Sequence, residues 1–278
     1  MRVEILGSGG AQPIPRPNCG CRVCVQARTE GVPYTRTGPS LFVHGPDLLF
    51  DTPEESRLQL ERAGIGRIAG CFYSHWHPDH VMGRRVFESR NLDIRTWPPE
   101  VEATPVYLPE QVAADTRTYL GTREHLAFLE RIGVVRVVEL RDGDTVDCDS
   151  VTVTPFRLAE DYVYAFLLEG EGRRVLVCMD ELNGWTPPDL GRLDLAVLPA
   201  GIFEHDPRTG ERKLAAEHPL LAEEATFAET LEMVRALDAG RVVLSHVEEM
   251  DGLSHDDLRE IGAAAGVEFA YDTMVLDL

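Results

Sequence analysis

The sequence predicts a mixed α/β (α+β) fold in which two β-sheets pack against each other beneath outer helices. Three observations predict it. Short runs rich in β-branched and aromatic residues, bounded by Gly, Pro or Asp, recur along the 278 residues. Segments with helical spacing of apolar residues interrupt them. The order is several strands, a helix, a strand running into a histidine cluster, more strands, then strand–helix alternation, which suits two sheets covered by helices.

Taken in order, strands are expected at residues 3–6, 41–44, 48–50, 71–74, 106–108 and 134–140, and then at 151–156, 162–168, 174–179, 193–198, 241–245 and 267–271. Helices are expected at 54–63, 79–88, 111–129, 221–237 and 256–265, the last opened by Ser254 with Asp257 three residues on, a capping pattern. The Pro-rich piece 96–100 reads as a loop, and Gly7–Gly10 as a tight turn, since it lacks the Lys-Ser/Thr ending of a phosphate-binding loop. There is no internal repeat or linker, so one domain over 1–278 is expected.

Hydrophobic residues make up 44 %, enough for a sizeable buried interior, and no apolar run is long enough to span a membrane. The N-terminus reads as a first strand rather than a signal peptide, which places the protein in the cytoplasm. The formal charge of −20 and a single lysine, Lys213, argue against a nucleic-acid partner, whose phosphates need a basic surface. The densest basic group, Arg84, Arg85 and Arg90, reads as a solvated helix face. A small-molecule substrate is the expected partner, with homodimerisation left open.

The chemistry concentrates in Cys71-Phe72-Tyr73-Ser74-His75-Trp76-His77-Pro78-Asp79-His80, an apolar strand that runs into four ligand-type side chains. His75 and His77, two apart in extended chain, project to one side. Pro78 suits a turn into a helix carrying Asp79 and His80. Imidazole with carboxylate suits zinc, iron or manganese. Two pairs can serve two divalent ions, which lower the pKa of a bound water and polarise a substrate oxygen.

The pattern His75-x-His77-x-Asp79-His80 resembles the signature of the metallo-β-lactamase superfamily, which implies a four-layer αββα sandwich with metals at the top edge of the sheets. Asp51, after the strand 48–50, resembles the Asp that shapes the site. Asp180, ending the run 175–180, resembles the Asp that bridges the metals. His246, ending 242–246, resembles the last ligand of the second ion. The family's further histidine for the first ion has no counterpart; by position Glu160 is the expected substitute, with Asp161 the alternative, and an empty first site is the other reading.

Near the N-terminus, Cys19-x-Cys21-x-x-Cys24 resembles the cluster of the PhnP-type phosphodiesterases and the PqqB-type proteins, where it helps hold a structural zinc. Three thiolates and one further ligand make a closed tetrahedral site. The PhnP-type pattern has a histidine as that ligand where this chain has Glu249; Glu248 and His255 are the neighbouring candidates. His205 and His218 are candidates for substrate binding or for protonating a leaving group, while His44 and His125 read as structural or exposed.

The resemblance implies a metal-dependent hydrolase of small phosphodiesters, with Asp79 also orienting the water and His205 or His218 acting on the leaving group. Hydrolysis of a lactone, thioester or β-lactam is the alternative within the fold. A metal- or metabolite-binding protein with little hydrolytic activity, of the PqqB kind, is the alternative outside that class.

Overall fold

The computed structural model describes residues 1–96, 100 and 102–278; most of the Pro-rich piece read as a loop therefore lies outside the described residues. The first six strands are β1 (Arg2–Gly7), β2 (Ser40–His44), β3 (Leu48–Phe50), β4 (Gly70–Phe72), β5 (Thr104–Pro109) and β6 (Val135–Leu140). The next seven are β7 (Val146–Cys148), β8 (Val151–Arg157), β9 (Tyr164–Gly170), β10 (Arg173–Cys178), β11 (Leu195–Pro199), β12 (Val242–Ser245) and β13 (Glu268–Phe269). The last, β14 (Met274–Asp277), returns to pair with β1. One sheet has the order β14-β1-β2-β3-β4-β5-β6 and the other β13-β12-β11-β10-β9-β8-β7.

The sheets face each other. Phe50 and Phe72 of the first sheet stack at 5.3 Å between ring centroids, and Phe166 of the second meets them edge-on at 5.2 and 5.6 Å. Such pairs add roughly 0.5–1.5 kcal/mol each beyond the area they bury. They lock the two strands whose next residues carry the site, Asp51 after β3 and the histidine motif after β4.

Nine α-helices complete the layers among the described residues: α1 (Arg22–Glu30), α2 (Ser56–Ala63), α3 (Pro78–Val81), α4 (Val86–Asn91), α5 (Glu110–Thr116), α6 (Thr122–Arg131), α7 (Leu220–Glu223), α8 (Phe227–Ala236) and α9 (His255–Ala265). Leu60, Val112, Leu126 and Leu129 join the inter-sheet core from α2, α5 and α6, while Phe227, Leu258 and Ile261 close a second core over the other sheet. The result is the αββα sandwich. No helix among the described residues is long and apolar enough to cross a membrane.

Strands β3 to β6 run parallel, as do β10 to β13. Side chains that follow β3, β4, β10 and β12 therefore emerge at the C-terminal ends of parallel ladders, where open α/β sheets characteristically bind ligands. This is how a chain with its ligand residues spread from 51 to 246 gathers them in one place.

Three expected helices divide. Residues 79–88 split because Gly83 turns its amide to Thr52 O (2.8 Å) and sits so close to Pro53 that a Cβ there would lie 1.8 Å from its carbonyl oxygen. Residues 111–129 split where Leu120 and Gly121 both take φ of 57°. Residues 221–237 split at Glu224, which is extended, and restart at Thr226, whose capping box with Glu229 opens α8. The expected box of Ser254 and Asp257 opens α9. The segment Gly7–Gly10 is an extended connection rather than a tight turn: Gly9 bridges to Val247, and Gly10 N donates to Val247 O at 3.2 Å. Arg84 is not on a solvated face. It is 6 % exposed and donates to the carbonyls of Val81 (2.9 Å) and Leu120 (3.3 Å).

Candidate metal centre

The motif after β4 leaves the sheet as extended chain through His77, and Pro78 then starts α3. His75 and His77 thus emerge beside each other, with Asp79 and His80 one turn further on. Their ligand atoms, with those of Asp180 and His246, form two groups, each within 4.8 Å: His75, His77 and Asp180, and then Asp79, His80 and His246. Asp180 connects the two. Its Oδ2 lies 3.4 Å from His75 Nε2 and 3.7 Å from His80 Nε2, and its Oδ1 lies 3.4 Å from His246 Nε2. Asp79 Oδ2 lies 3.2 Å from His80 Nε2 and 3.5 Å from His246 Nε2.

The fit to metal ions rests on what these atoms lack. His75 Nε2, His80 Nε2, His246 Nε2 and Asp79 Oδ2 are all buried and make no hydrogen bond. Buried polar groups are almost always satisfied, and four orphaned donor atoms converging on one space fit two cations. Imidazole and carboxylate are borderline-to-hard ligands that suit zinc, manganese or iron.

The opposite ring nitrogens are held. Asp51, fully buried, accepts from His80 Nδ1 at 2.7 Å, and also from Ser74 N at 2.8 Å and Ser74 Oγ at 2.6 Å. A carboxylate on the far nitrogen fixes the ring's tautomer and orientation toward a metal. Glu248 Oε1 lies 3.8 Å from His246 Nδ1, and the carboxylate is itself held by the amide of Ala11 at Oε1 and that of Gln12 at Oε2, both at 2.9 Å. Asp51 and His246 both take positive φ, 57° and 55°, a backbone cost tolerated where the surrounding structure dictates it.

The two groups differ in charge. Burial, then the neighbouring His80, keeps His75 below its ordinary range; burial and His75 bring His77 down to about 4. Burial also opposes charge on His80 and His246, but their carboxylate neighbours outweigh it: His80, beside Asp79 and Asp51, is raised well above its usual value, and His246, facing Asp180 and Asp79, rises to about 10. Both aspartates stay ionised despite burial, held low by the histidines. The centre draws positive charge, as protons when no cation is bound.

Glu160 is not in either group. It lies in the turn between β8 and β9, where Val163 N donates to Glu160 O at 3.1 Å, and Asp161 beside it is exposed. The residue that this turn places against the first group is Tyr162, whose ring lies 5.3 Å from that of His77 and 6.0 Å from that of His75. Sequence reasoning missed it because a tyrosine beside a strand reads as core.

His205 is exposed, 3.7 Å from Glu204, and His218 accepts from Leu220 N at 3.3 Å. Neither lines the cavity of about 170 Å³ that opens beside Asp180 and His246. That cavity carries Glu181, Glu224 and Glu248 among apolar residues that include Leu182, Ile202, Leu220 and Met250. Burial and a shared hydrogen bond with Glu181 raise Glu224 to about 9. Two aromatic rings flank the other side of the metal centre: Trp76 meets His77 at 4.6 Å and stacks on Tyr119 at 4.0 Å.

A second cluster lies at the start of α1. Cys19, Cys21 and Cys24 converge with Glu249, each sulfur within 2.9–3.3 Å of Glu249 Oε1. Glu249 is 6 % exposed, and its other oxygen accepts from Arg16 at 2.9 Å. Against the cost of burial, hydrogen bonds from Cys21, Cys19 and Arg16 hold it at about 2, while burial pushes Cys24 up to about 12. Four donors packed this tightly fit a tetrahedral zinc. Glu248 is bound instead to the backbone of Ala11 and Gln12, and the His255 ring packs edge-on against Tyr34 and Tyr271.

The chain resembles known proteins over most of its length. It is 28 % identical over 221 residues to ribonuclease Z of Streptomyces coelicolor, covering 71 % of this chain and 70 % of that protein. It is 29 % identical over 167 residues to an octanoyltransferase of Porphyromonas gingivalis, covering 57 % of this chain but only 30 % of that protein. A crystal structure described as a new diphosphatase from the PhnP family superposes with a TM-score of 0.70 at 21 % identity, covering 100 % of this chain and 97 % of the other. With the β-lactamase superfamily domain matched over residues 39–247, across both sheets and every residue of the two histidine–aspartate groups, the chain belongs to that superfamily.

Proposed function

We propose that this protein is a metal-dependent hydrolase of small phosphodiesters. The observation that carries the reading is the set of orphaned, converging donor atoms in two groups joined by Asp180. His75, His77 and Asp180 would hold one divalent ion, and Asp79, His80 and His246 the other. Ions held there would supply a water of lowered pKa and positive charge for the non-bridging oxygens of a phosphodiester. Asp51 and Glu248 orient the second group's imidazoles from behind. Glu224, the carboxyl in the adjoining cavity that burial keeps protonated, is better placed than His205 or His218 to hold a proton for a leaving group.

The choice of phosphorus over an acyl carbon is supported by the likeness to a PhnP-family diphosphatase and to ribonuclease Z, and by the cysteine cluster. The net charge of −20 and the acidic cavity wall favour a small substrate of low charge over RNA. The thiolate cluster suits a reducing compartment such as the cytoplasm.

The test compares turnover of bis(p-nitrophenyl) phosphate with a lactone and thioester panel, using protein reconstituted with zinc or manganese. Metal-dependent cleavage of the diester, lost in His77→Ala, is expected. Faster cleavage of a lactone or thioester, or diester cleavage indifferent to metal, would refute the reading.

A further inference from the structure

Among the large apolar side chains that stand exposed, three are neighbours beside the metal centre: Met82 at 43 %, Tyr119 at 40 % and Leu120 at 42 %. They come from two segments, the turn after α3 and the turn between α5 and α6. Arg84 ties these together, its guanidinium reaching Val81 O, Met82 Sδ (3.6 Å) and Leu120 O. The α5–α6 turn is held in an unfavourable shape, because Leu120, a branched residue, takes φ of 57° directly before Gly121. Such a conformation persists only where its surroundings impose it. Its effect here is to keep Tyr119 stacked on Trp76, at 4.0 Å with ring planes 21° apart. Trp76 in turn sits between His75 and His77 in the chain and meets the His77 ring at 4.6 Å.

These contacts run from His77, met edge-on by Trp76, to a stacked tyrosine left partly open to solvent. We propose that Tyr119, with Trp76 behind it and Met82 and Leu120 at its rim, is a subsite for a planar aromatic ring carried by the substrate. The substrate class is then an aryl- or nucleobase-bearing phosphodiester rather than an alkyl or sugar one; this rests on the phosphodiester reading above. Two features favour a ring over an alkyl chain. The platform is a stacked pair of rings rather than a flexible apolar side chain, and its contacts of 4.0 and 4.6 Å keep Tyr119 within about 9 Å of the His77 ring, a span that fits a phosphate on the ions and a ring attached through a linker of sugar length. The acidic cavity lies on the other side, beside Asp180 and His246, so the ring and the charged wall do not compete for one space.

The test measures binding, not turnover, on manganese-loaded protein. Matched pairs are titrated calorimetrically: methyl against 3-phenylpropyl phosphate, and acetate against 5-phenylpentanoate, with adenosine monophosphate as a larger ring on a sugar linker. Stacking of a ring on an aromatic side chain should tighten binding by about tenfold over the methyl partner. Tyr119→Ala should erase that factor and leave methyl phosphate unchanged, which also reports an intact metal site; Tyr119→Trp should keep it. Equal affinity within both pairs, or a ring preference that survives Tyr119→Ala, overturns the subsite. If phosphates fail to bind but 5-phenylpentanoate outcompetes acetate in a Tyr119-dependent way, the subsite stands and the phosphodiester reading falls.

Discussion

The two metal groups should load with different pH dependence, because one is neutral and the other is protonated before metal arrives. Burial keeps His75 below its ordinary range and brings His77 to about 4, so near neutral pH the first group has little imidazole proton to lose. His80 and His246 are raised by Asp79, Asp51 and Asp180, the latter histidine to about 10, so each must release a proton to bind an ion. One proton released per site makes affinity rise about tenfold per pH unit. With two such histidines the second binding step should strengthen by up to about a hundredfold per unit as pH rises through neutrality, while the first step stays nearly flat. The same shift acts on the metal-free fold with the opposite sign. A histidine whose folded pKa is raised stabilises the fold fully below about 6.5, and that contribution is lost as pH rises through about 10. Each such histidine removes on the order of 1 kcal/mol per pH unit inside the window. Metal-free protein should therefore melt lower at pH 9 than at pH 7, and the increase in Tm on adding metal should grow. Calorimetric titration with Mn²⁺ in two buffers of different ionisation enthalpy reads the protons released at each step; manganese leaves the thiolate cluster largely out of the measurement. Two steps with equal proton release, or none in either, would show that the carboxylates do not set the histidines' charge.

Further changes probe the supports of the centre. A Cβ on Gly10 would lie 2.1 Å from Glu248 Oε1 and 2.7 Å from His246 Nδ1; Gly10→Ala should cost about 1–3 kcal/mol in a melting curve and deplete the second group's ion in elemental analysis. Asp51→Asn removes the anionic acceptor behind His80 and should weaken metal binding by about 10–100-fold with the fold retained, as read by chelator competition. Glu249→Ala should release the cysteine-cluster ion and leave the histidine sites loaded, whereas Glu249→His should keep all sites filled. Tyr162→His should tighten the first ion; Glu160→His should leave it unchanged in the same competition.

The ligand motif was legible because its residues are adjacent and chemically improbable as a turn. Asp51, Asp180 and His246 were legible only through the family pattern, since an acid or histidine after a strand has no signal of its own; the parallel ladders that position them pair strands tens of residues apart, and the facing of the two sheets then brings residues 51, 180 and 246 together. Helix periodicity over 79–88 and 111–129 was real, but Gly83 against Pro53, a contact outside the helix, and the left-handed pair Leu120–Gly121 divided each stretch. The first ion's missing histidine shows the limit most directly. Glu160, with Asp161 the alternative, is the substitute expected there by position and by its carboxylate, while Tyr162, opening an expected strand, reads as core. In the turn in which Val163 N closes onto Glu160 O, Tyr162 reaches the His75 and His77 rings while Glu160 does not join the ligand group. A phenol there replaces an imidazole by a weaker donor, so the first group has two histidines and one shared carboxylate. An ion held there would draw more of its coordination from water or substrate than one held by the second group.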